Sequence, residues 1–213
     1  MQAPENAIAP SEDYFSIFDL PRFLNIDTAA LEKQFYALSR RLHPDLFATK
    51  PAAEQEWATE RSSLLNDAYR TLKEPIARTR YLLKLEGASL EEDSERNVAE
   101  ARASGKPREQ KVPPDLLAEV FELNMQLEEL KMGGENSDDA DLKEQLRASA
   151  ALFQSQLAAC DSELSGHWAH WDAAQTAHDA AGKDSAKQAM VDLLHRRNYI
   201  RNLVRDVQEA VGE

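Results

Sequence analysis

Residues 28–47 read TAALEKQFYALSRRLHPDLF, an amphipathic helix pattern that stops at a proline. Four large apolar residues fall at i, i+4, i+7 and i+11, the spacing of one helix face, namely Leu31, Phe35, Leu38 and Leu42. Asp27 or Thr28 can cap the start of this helix. The helix must end near His43, because the residue before Pro44 avoids α geometry. The stretch therefore predicts a helix followed by a tight turn.

The residues around this helix complete a small helical unit. Upstream lies a short apolar segment at 14–18, and downstream the apolar residues of 57–72 recur at helical spacing. The second pattern predicts an antiparallel partner helix. Pro75 can start a shorter helix that Gly87 closes. We expect a helical hairpin with flanking helices over residues 13–87.

The second half of the chain has a different composition. Residues 88–113 are rich in charged and small residues and predict a linker. All nine prolines lie before residue 115, so long helices are free to form beyond it. Three helical patterns follow, over 114–132, 139–179 and 184–211. Their short connections predict an antiparallel three-helix bundle over residues 114–211, so the expected fold class is all-α.

Charge and hydropathy exclude several classes of partner. The 213 residues carry a formal net charge of −13, divided into −2 for residues 1–87 and −11 for residues 88–213. Nucleic-acid binding needs a concentrated basic face, so an acidic second half argues against it. Because no apolar run could span a bilayer and no secretory signal opens the sequence, we expect no membrane partner and a cytoplasmic location.

Motifs for catalysis or cofactor binding are absent from the sequence. There is no Gly-rich phosphate loop and no nucleophile elbow. The single cysteine, Cys160, cannot hold a cluster or structural zinc alone, and we expect it to be a small buried residue. His167, His170 and His178 lie at helical spacings, but no carboxylate at a clear ligand spacing completes a metal site. We therefore predict no enzyme activity, no metal and no cofactor.

The turn His43-Pro44-Asp45, with the basic helix before it and LNDAYRTL at 65–72 after it, resembles a J-domain. J-domains are the modules by which co-chaperones stimulate ATP hydrolysis in DnaK-class chaperones. Proline stiffens such a turn and leaves the imidazole and carboxylate on an exposed corner, where a partner can engage them at little ordering cost. The alternative is that Pro44 merely ends a helix and Asp45 caps the next element.

Two more segments, DYFSIFDLP at 13–21 and PIARTRYLL at 75–83, narrow the resemblance to the HscB family. HscB is the J-type co-chaperone of iron–sulfur cluster assembly, which works with the chaperone HscA and the scaffold IscU. The match is specific over 13–87 and looser over the bundle. It implies that the chain recruits an IscU-type scaffold to an HscA-type, DnaK-class chaperone and stimulates the chaperone's ATPase, which promotes cluster transfer.

The resemblance assigns the chaperone contact to the turn and to one face of the helix before it, namely His43, Pro44, Asp45, Lys33, Arg40 and Arg41. In J-domains this face meets an acidic patch on the chaperone. Here Tyr36 and Ala37 stand where a basic pair is common, and Leu46 stands where lysine often follows the motif. A merely solvated charged face is the alternative for the lysine.

The pattern at 114–132 is apolar on two sides. Residues from Leu116 to Leu130 follow the 4-3-4-3 spacing of a bundle core, whereas Leu117, Phe121 and Met125 project roughly 140° away from it. The second stripe predicts another partner: a different protein, another part of this chain or a second copy. The resemblance assigns scaffold contacts to Leu117, Ala118, Phe121, Glu122, Asn124 and Met125, with Tyr199 from the last helix. Ala118, Asn124 and Met125 depart from the methionine, arginine and glutamate common there.

Three alternatives remain open at this point. The chain could serve a general DnaK-type chaperone with another client, and scaffold binding separates that case from the first. It could be a helical metal-handling protein that uses His167, His170 and Cys160, for which bound metal in untagged protein is the discriminator. A purely structural adaptor would leave a chaperone's ATPase unaffected.

Overall fold

The computed structural model describes residues 13–88, 90, 112–132 and 138–212, and every regular element in those ranges is helical. The helices are α1 (Tyr14–Ile17), α2 (Thr28–Leu42), α3 (Ala52–Lys73), α4 (Pro75–Leu85), α5 (Leu117–Met132), α6 (Asp138–Ala177) and α7 (Ala180–Val211), with 3₁₀ turns at Pro44–Phe47 and Pro114–Leu116. The prediction of an all-α fold is confirmed. Most of the predicted linker at 88–113 lies outside the described residues. Among the described helices, none is both long and apolar enough to cross a bilayer.

The chain divides into two compact units. The first unit contains α1 to α4 together with residues 168–187, which are the end of α6 and the start of α7. The second contains α5 with residues 138–167 and 188–211. This division differs from the one expected from the sequence, in which all of 114–211 formed one bundle.

In the first unit, α2 begins and ends at the residues that its sequence predicts. The Asp27 carboxylate caps the helix by accepting hydrogen bonds from the amides of Ala29 at 2.9 Å and Ala30 at 3.0 Å. The helix ends at Leu42, because His43 adopts extended backbone before Pro44. Helix α2 packs against α3 around a core that includes Phe15, Phe18, Leu24, Leu31, Leu65, Leu72, Leu82 and Leu83.

Helix α4 also ends as predicted. The amide of Ala88 donates to the Leu83 carbonyl at 2.9 Å, and Gly87 adopts a φ of +73°. This is the geometry of a left-handed helix cap, which glycine adopts without the steric cost of a Cβ atom. This cap ends α4 and changes the direction of the chain there.

Residues 168–187 belong to the first unit because they supply both core and hydrogen bonds there. Trp171 is fully buried, and its Nε1 donates to the Arg22 carbonyl at 3.0 Å. The Asp172 carboxylate accepts from the amides of Leu24 at 2.7 Å and Asn25 at 3.0 Å. The loop before α2 thus obtains its hydrogen-bond acceptor from the end of α6. The prediction that a tryptophan of this region is a core residue is confirmed for Trp171.

The second unit has a separate apolar core, formed by Leu116, Val120, Leu123, Leu146, Ala150, Phe153, Cys160, Ile200, Leu203, Val204 and Val207. All three of its helices contribute to this core. An ion pair between Arg197 and Asp161 joins α7 to α6, which run antiparallel after the turn at His178 and Asp179. Segments of three helices thus pack around one core in the second unit.

Candidate functional site

The turn after α2 presents two polar side chains to solvent. The side chains of His43 and Asp45 are 55% and 88% exposed. The amide of Asp45 donates to Nδ1 of His43 at 3.3 Å, and the Asp45 Oδ2 atom lies 3.5 Å from the same nitrogen. With Nδ1 accepting, Nε2 is the donor atom of the neutral ring. The turn therefore holds a donor and a carboxylate side by side, ready for a partner.

The base of this turn is fixed by apolar and polar contacts to α3. The ring of Phe47 meets the Trp57 ring edge-on, with the centroids 5.8 Å apart. The Gln55 side-chain amide donates to the carbonyls of Lys50 at 2.8 Å and Ala48 at 3.3 Å. These contacts hold the backbone that follows the turn against α3. The side chains of His43 and Asp45 can therefore remain in solvent while the turn keeps its shape.

Asp45 does not cap the helix that follows the turn, which was its alternative role. Helix α3 has Pro51 at its N-cap position, without a side-chain capping bond. The 3₁₀ turn is capped instead by the His43 imidazole. The Asp45 carboxylate makes no hydrogen bond to a backbone amide within the described ranges. Its contact within the turn is the one to the His43 ring.

A basic face runs along α2 toward the turn. Lys33, Arg40 and Arg41 are exposed; Lys33 and Arg40 lie on the side of the helix opposite Leu31, and Arg41 lies at the edge of that side. Neither Lys33 nor Arg40 takes part in an ion pair within the described part of the chain. Unpaired cations on a rigid helix favour a partner with an acidic surface.

Helix α5 has a buried face and an exposed apolar face. Val120 and Leu123 are buried in the second unit, whereas Phe121 is 68% exposed and Leu117 and Met125 are each more than half exposed. Ala118, Glu122 and Asn124 are exposed on the same side. The second stripe is therefore not covered by the bundle core. We call Leu117, Phe121 and Met125 the apolar stripe.

The structure adds one residue that sequence reasoning missed. Met132, at the end of α5, is 83% exposed. It lies seven residues after Met125, which is two helical turns, so both side chains project from the same face. That heptad spacing is the signal that could have found it.

Tyr199, the predicted scaffold contact on α7, is only partly exposed. It packs against the core of the second unit. Burial, and then the nearby charge of Asp206, raise the pKa of its phenol. Tyr199 therefore stays neutral around pH 7, so it can offer an apolar ring and a hydroxyl donor.

The residues of the metal-handling alternative do not form a ligand set. In the described ranges, no group of three or more His, Cys, Asp or Glu side chains is placed to hold a metal ion. Cys160 is buried in the second core, as expected, and burial raises the pKa of its thiol. His178 has its Nδ1 3.2 Å from the carbonyl of Thr176, within its own turn.

Sequence comparison relates the chain to curated HscB proteins. It is 41% identical over 92 residues to the iron–sulfur cluster co-chaperone protein HscB of Homo sapiens, covering 43% of this chain and 37% of the human protein. It is 33% identical over 118 residues to the same protein of Mus musculus, covering 55% and 44% of the two chains. It is 51% identical over 74 residues to the co-chaperone protein HscB homolog of Neisseria meningitidis, covering 35% and 45%. The matched segments thus span less than half of each relative, and no family model matches the chain.

Solved structures extend the similarity along most of the chain. The chaperone HscB from Vibrio cholerae superposes with a TM-score of 0.61 at 27% identity, covering 92% of this chain and 96% of that one. The crystal structure of the human co-chaperone protein HscB gives a TM-score of 0.55 at 24% identity, covering 92% and 83%, and supports the fold alone. The curated sequence matches and the Vibrio cholerae structure, which is covered along nearly its whole length, agree in relating this chain to HscB proteins.

Proposed function

We propose that this chain is a co-chaperone of iron–sulfur cluster assembly. In this proposal, the turn at His43–Asp45 and the basic face of α2 bind an HscA-type, DnaK-class chaperone and stimulate its ATPase. The apolar stripe of α5 binds an IscU-type scaffold, with help from Tyr199. The printed names of the human and mouse relatives support the role in iron–sulfur cluster biology. The chain itself performs no chemistry; it activates the ATPase of its partner.

The observation that carries the proposal is the exposed turn. A histidine ring and a carboxylate are held exposed at the end of a helix that carries Lys33, Arg40 and Arg41 on its surface. A carboxylate in this position can accept paired hydrogen bonds from a partner arginine. Stiffness from Pro44 lowers the ordering cost of that contact.

The client side of the proposal rests on α5. The apolar stripe places three large apolar side chains on the surface of a strongly acidic unit. An exposed apolar patch of this kind is typical of a binding surface. Glu122 lies beside it. A partner with an apolar patch and basic groups around it fits this surface.

The first experiment measures ATP turnover by a DnaK-class chaperone of the HscA type, with and without an IscU-type scaffold. We expect the wild-type chain to stimulate turnover, and the scaffold to increase the stimulation further. The His43→Gln variant should leave turnover at its basal rate, because it removes the imidazole at the exposed corner. If the wild-type chain fails to stimulate turnover, the proposed chaperone contact is wrong.

A second measurement separates the two surfaces. Phe121→Ala should weaken scaffold binding by about 10- to 30-fold, since a central aromatic anchor is typically worth that much, and should leave stimulation without scaffold intact. His43→Gln should show the opposite pattern. Calorimetric titration with scaffold measures the first effect and ATP turnover the second. Equal loss of both activities in both folded variants would contradict the assignment of chaperone binding to the turn and scaffold binding to the apolar stripe.

The same measurements decide between the alternatives. Stimulation that does not respond to scaffold would retain the chaperone contact and indicate a general DnaK-type chaperone with another client. Stoichiometric metal in untagged protein would favour the metal-handling alternative, with which the described histidines and cysteine do not agree.

A further inference from the structure

Two large apolar side chains flank the turn on its exposed side. Tyr36 is 54% exposed on α2, and Leu46 is 60% exposed in the 3₁₀ turn that contains Asp45. Both stand in the region that the proposed function assigns to the chaperone.

Tyr36 lies within the row of cations on α2. Lys33 precedes it by three residues and Arg40 follows it by four, and residues at these spacings are neighbours on a helix surface. The Tyr36 ring touches the Phe35 ring in a tilted arrangement, with the centroids 5.5 Å apart. In the part of the chain that the structure describes, the phenol oxygen has no hydrogen-bond partner. The residue is therefore an aromatic surface with a basic residue before and after it.

Leu46 is a second exposed apolar side chain, and it lies within the turn itself. Its amide donates to the carbonyl of His43 at 3.0 Å, so the backbone of Leu46 is tied to the functional histidine. The packing of the turn on α3 is already supplied by Phe47 against Trp57. Leu46 is thus not needed to anchor the turn, and its side chain is available to a partner.

We infer that Tyr36 and Leu46 are apolar anchors of the chaperone contact, and that the DnaK-class chaperone served by this chain presents apolar groups inside an acidic rim. This inference rests on the proposed function. The charge of Lys33 and Arg40 calls for acidic groups on the partner. Tyr36 between them and Leu46 next to Asp45 call for a surface that excludes water. Anchors of this kind, surrounded by polar contacts, carry a large share of the energy of many interfaces.

Lysine substitutions distinguish apolar anchors from a purely electrostatic contact. If the contact is purely electrostatic, Tyr36→Lys and Leu46→Lys add attraction to an acidic partner and lower the concentration needed for half-maximal stimulation. If the two residues are anchors, the same substitutions bury a charge and raise that concentration. We expect each lysine variant to raise it about 10-fold. Maximal turnover should stay near the wild-type value, because His43 and Asp45 are unchanged.

The experiment is a titration of the full chain into the chaperone, with ATP turnover as the readout, at low and high salt. The control is Leu152→Lys, which changes a 49% exposed leucine on α6 and should leave the curve unchanged. Tyr36→Phe should also behave as wild type, since the phenol makes no hydrogen bond to the part of the chain that the structure describes. Thermal unfolding of each variant checks the fold, and Tyr36→Gln with Leu46→Gln provides neutral substitutions if a lysine variant unfolds.

The half-maximal concentrations of the variants show whether Tyr36 and Leu46 are anchors. Half-maximal concentrations that rise for the lysine and glutamine variants, with an unchanged salt dependence for the latter, support the anchors. Values that fall or stay level for folded lysine variants overturn the inference and leave a purely electrostatic contact. Absence of stimulation by the wild-type chain is a different result, because it overturns the proposed function on which the inference rests.

Discussion

At the scale of single residues, Asp13 combines two tasks at the start of the first unit. Its carboxylate caps α1 by accepting from the amide of Ser16 at 3.0 Å. The same group receives two hydrogen bonds from the Arg22 guanidinium, at 2.9 Å and 2.7 Å. Burial disfavours the charged form, but the hydrogen bonds from Ser16 and Arg22 outweigh it and hold the pKa of Asp13 below its ordinary value.

This lowered pKa predicts how stability depends on pH. A carboxyl group whose pKa is lower in the folded state stabilises the fold above its unfolded pKa, and that contribution is lost as pH falls through the folded value. We expect Asp13→Asn to cost about 1 kcal/mol at pH 7, and the difference from wild type to disappear as the pH falls through the lowered folded-state pKa of Asp13. Urea unfolding at a series of pH values measures this difference. Asp67→Asn, at an exposed position of α3, is the control and should change nothing; a constant deficit of Asp13→Asn at all pH values would contradict the linkage.

At the scale of elements, the two faces of α5 predict opposite effects of similar truncations. Leu123 is buried in the second core, so Leu123→Ala should lower the free energy of unfolding by about 2–5 kcal/mol. Phe121 is mostly exposed, so Phe121→Ala should change stability by less than about 0.5 kcal/mol. Urea unfolding of both variants tests this pair. Equal destabilisation would mean that the apolar stripe is covered within the chain, which would remove it as a binding surface.

At the scale of the whole molecule, the proposal requires both surfaces on one chain. Tethering makes the second binding event intramolecular and raises the effective concentration of client at the chaperone. Full-length His43→Gln mixed with full-length Phe121→Ala should therefore reach the stimulation seen without scaffold, but not the increase that scaffold gives to wild type. ATP turnover at matched total protein concentration measures this. A mixture that equals wild type would show that the chain needs no tether between its two contacts.

Much of the fold could be predicted from local sequence, because local residues decide where a helix starts and stops. Asp27 caps α2, Pro44 ends it, and Gly87 closes α4, as their residue types require. The two faces of α5 likewise follow from spacing alone. The turn of the candidate site could be found because three adjacent residues and their flanks define it.

The contacts of residues 168–187 could not be predicted in this way. The hydrogen bond from the Leu24 amide to Asp172 joins residues 148 positions apart, and no local pattern pairs them. The sequence also left open whether the apolar stripe of α5 is covered, because periodicity identifies a face but not its neighbour. In the sequence, Tyr36 and Leu46 differ from their neighbours only as departures from a basic pattern. Their exposure depends on tertiary packing and is seen only in the structure.

Local sequence is sufficient to predict the all-helical class, the ends of α2 and α4, the turn after α2 and the positions of the apolar faces. These properties depend on backbone sterics and on the 3.6-residue helical period, which act over a few residues. Three-dimensional packing is needed to show that the end of α6 completes the first unit, that Met132 extends the exposed face of α5, and which apolar side chains stay in solvent. Burial depends on which surfaces meet, and that is a property of the packed chain rather than of any segment.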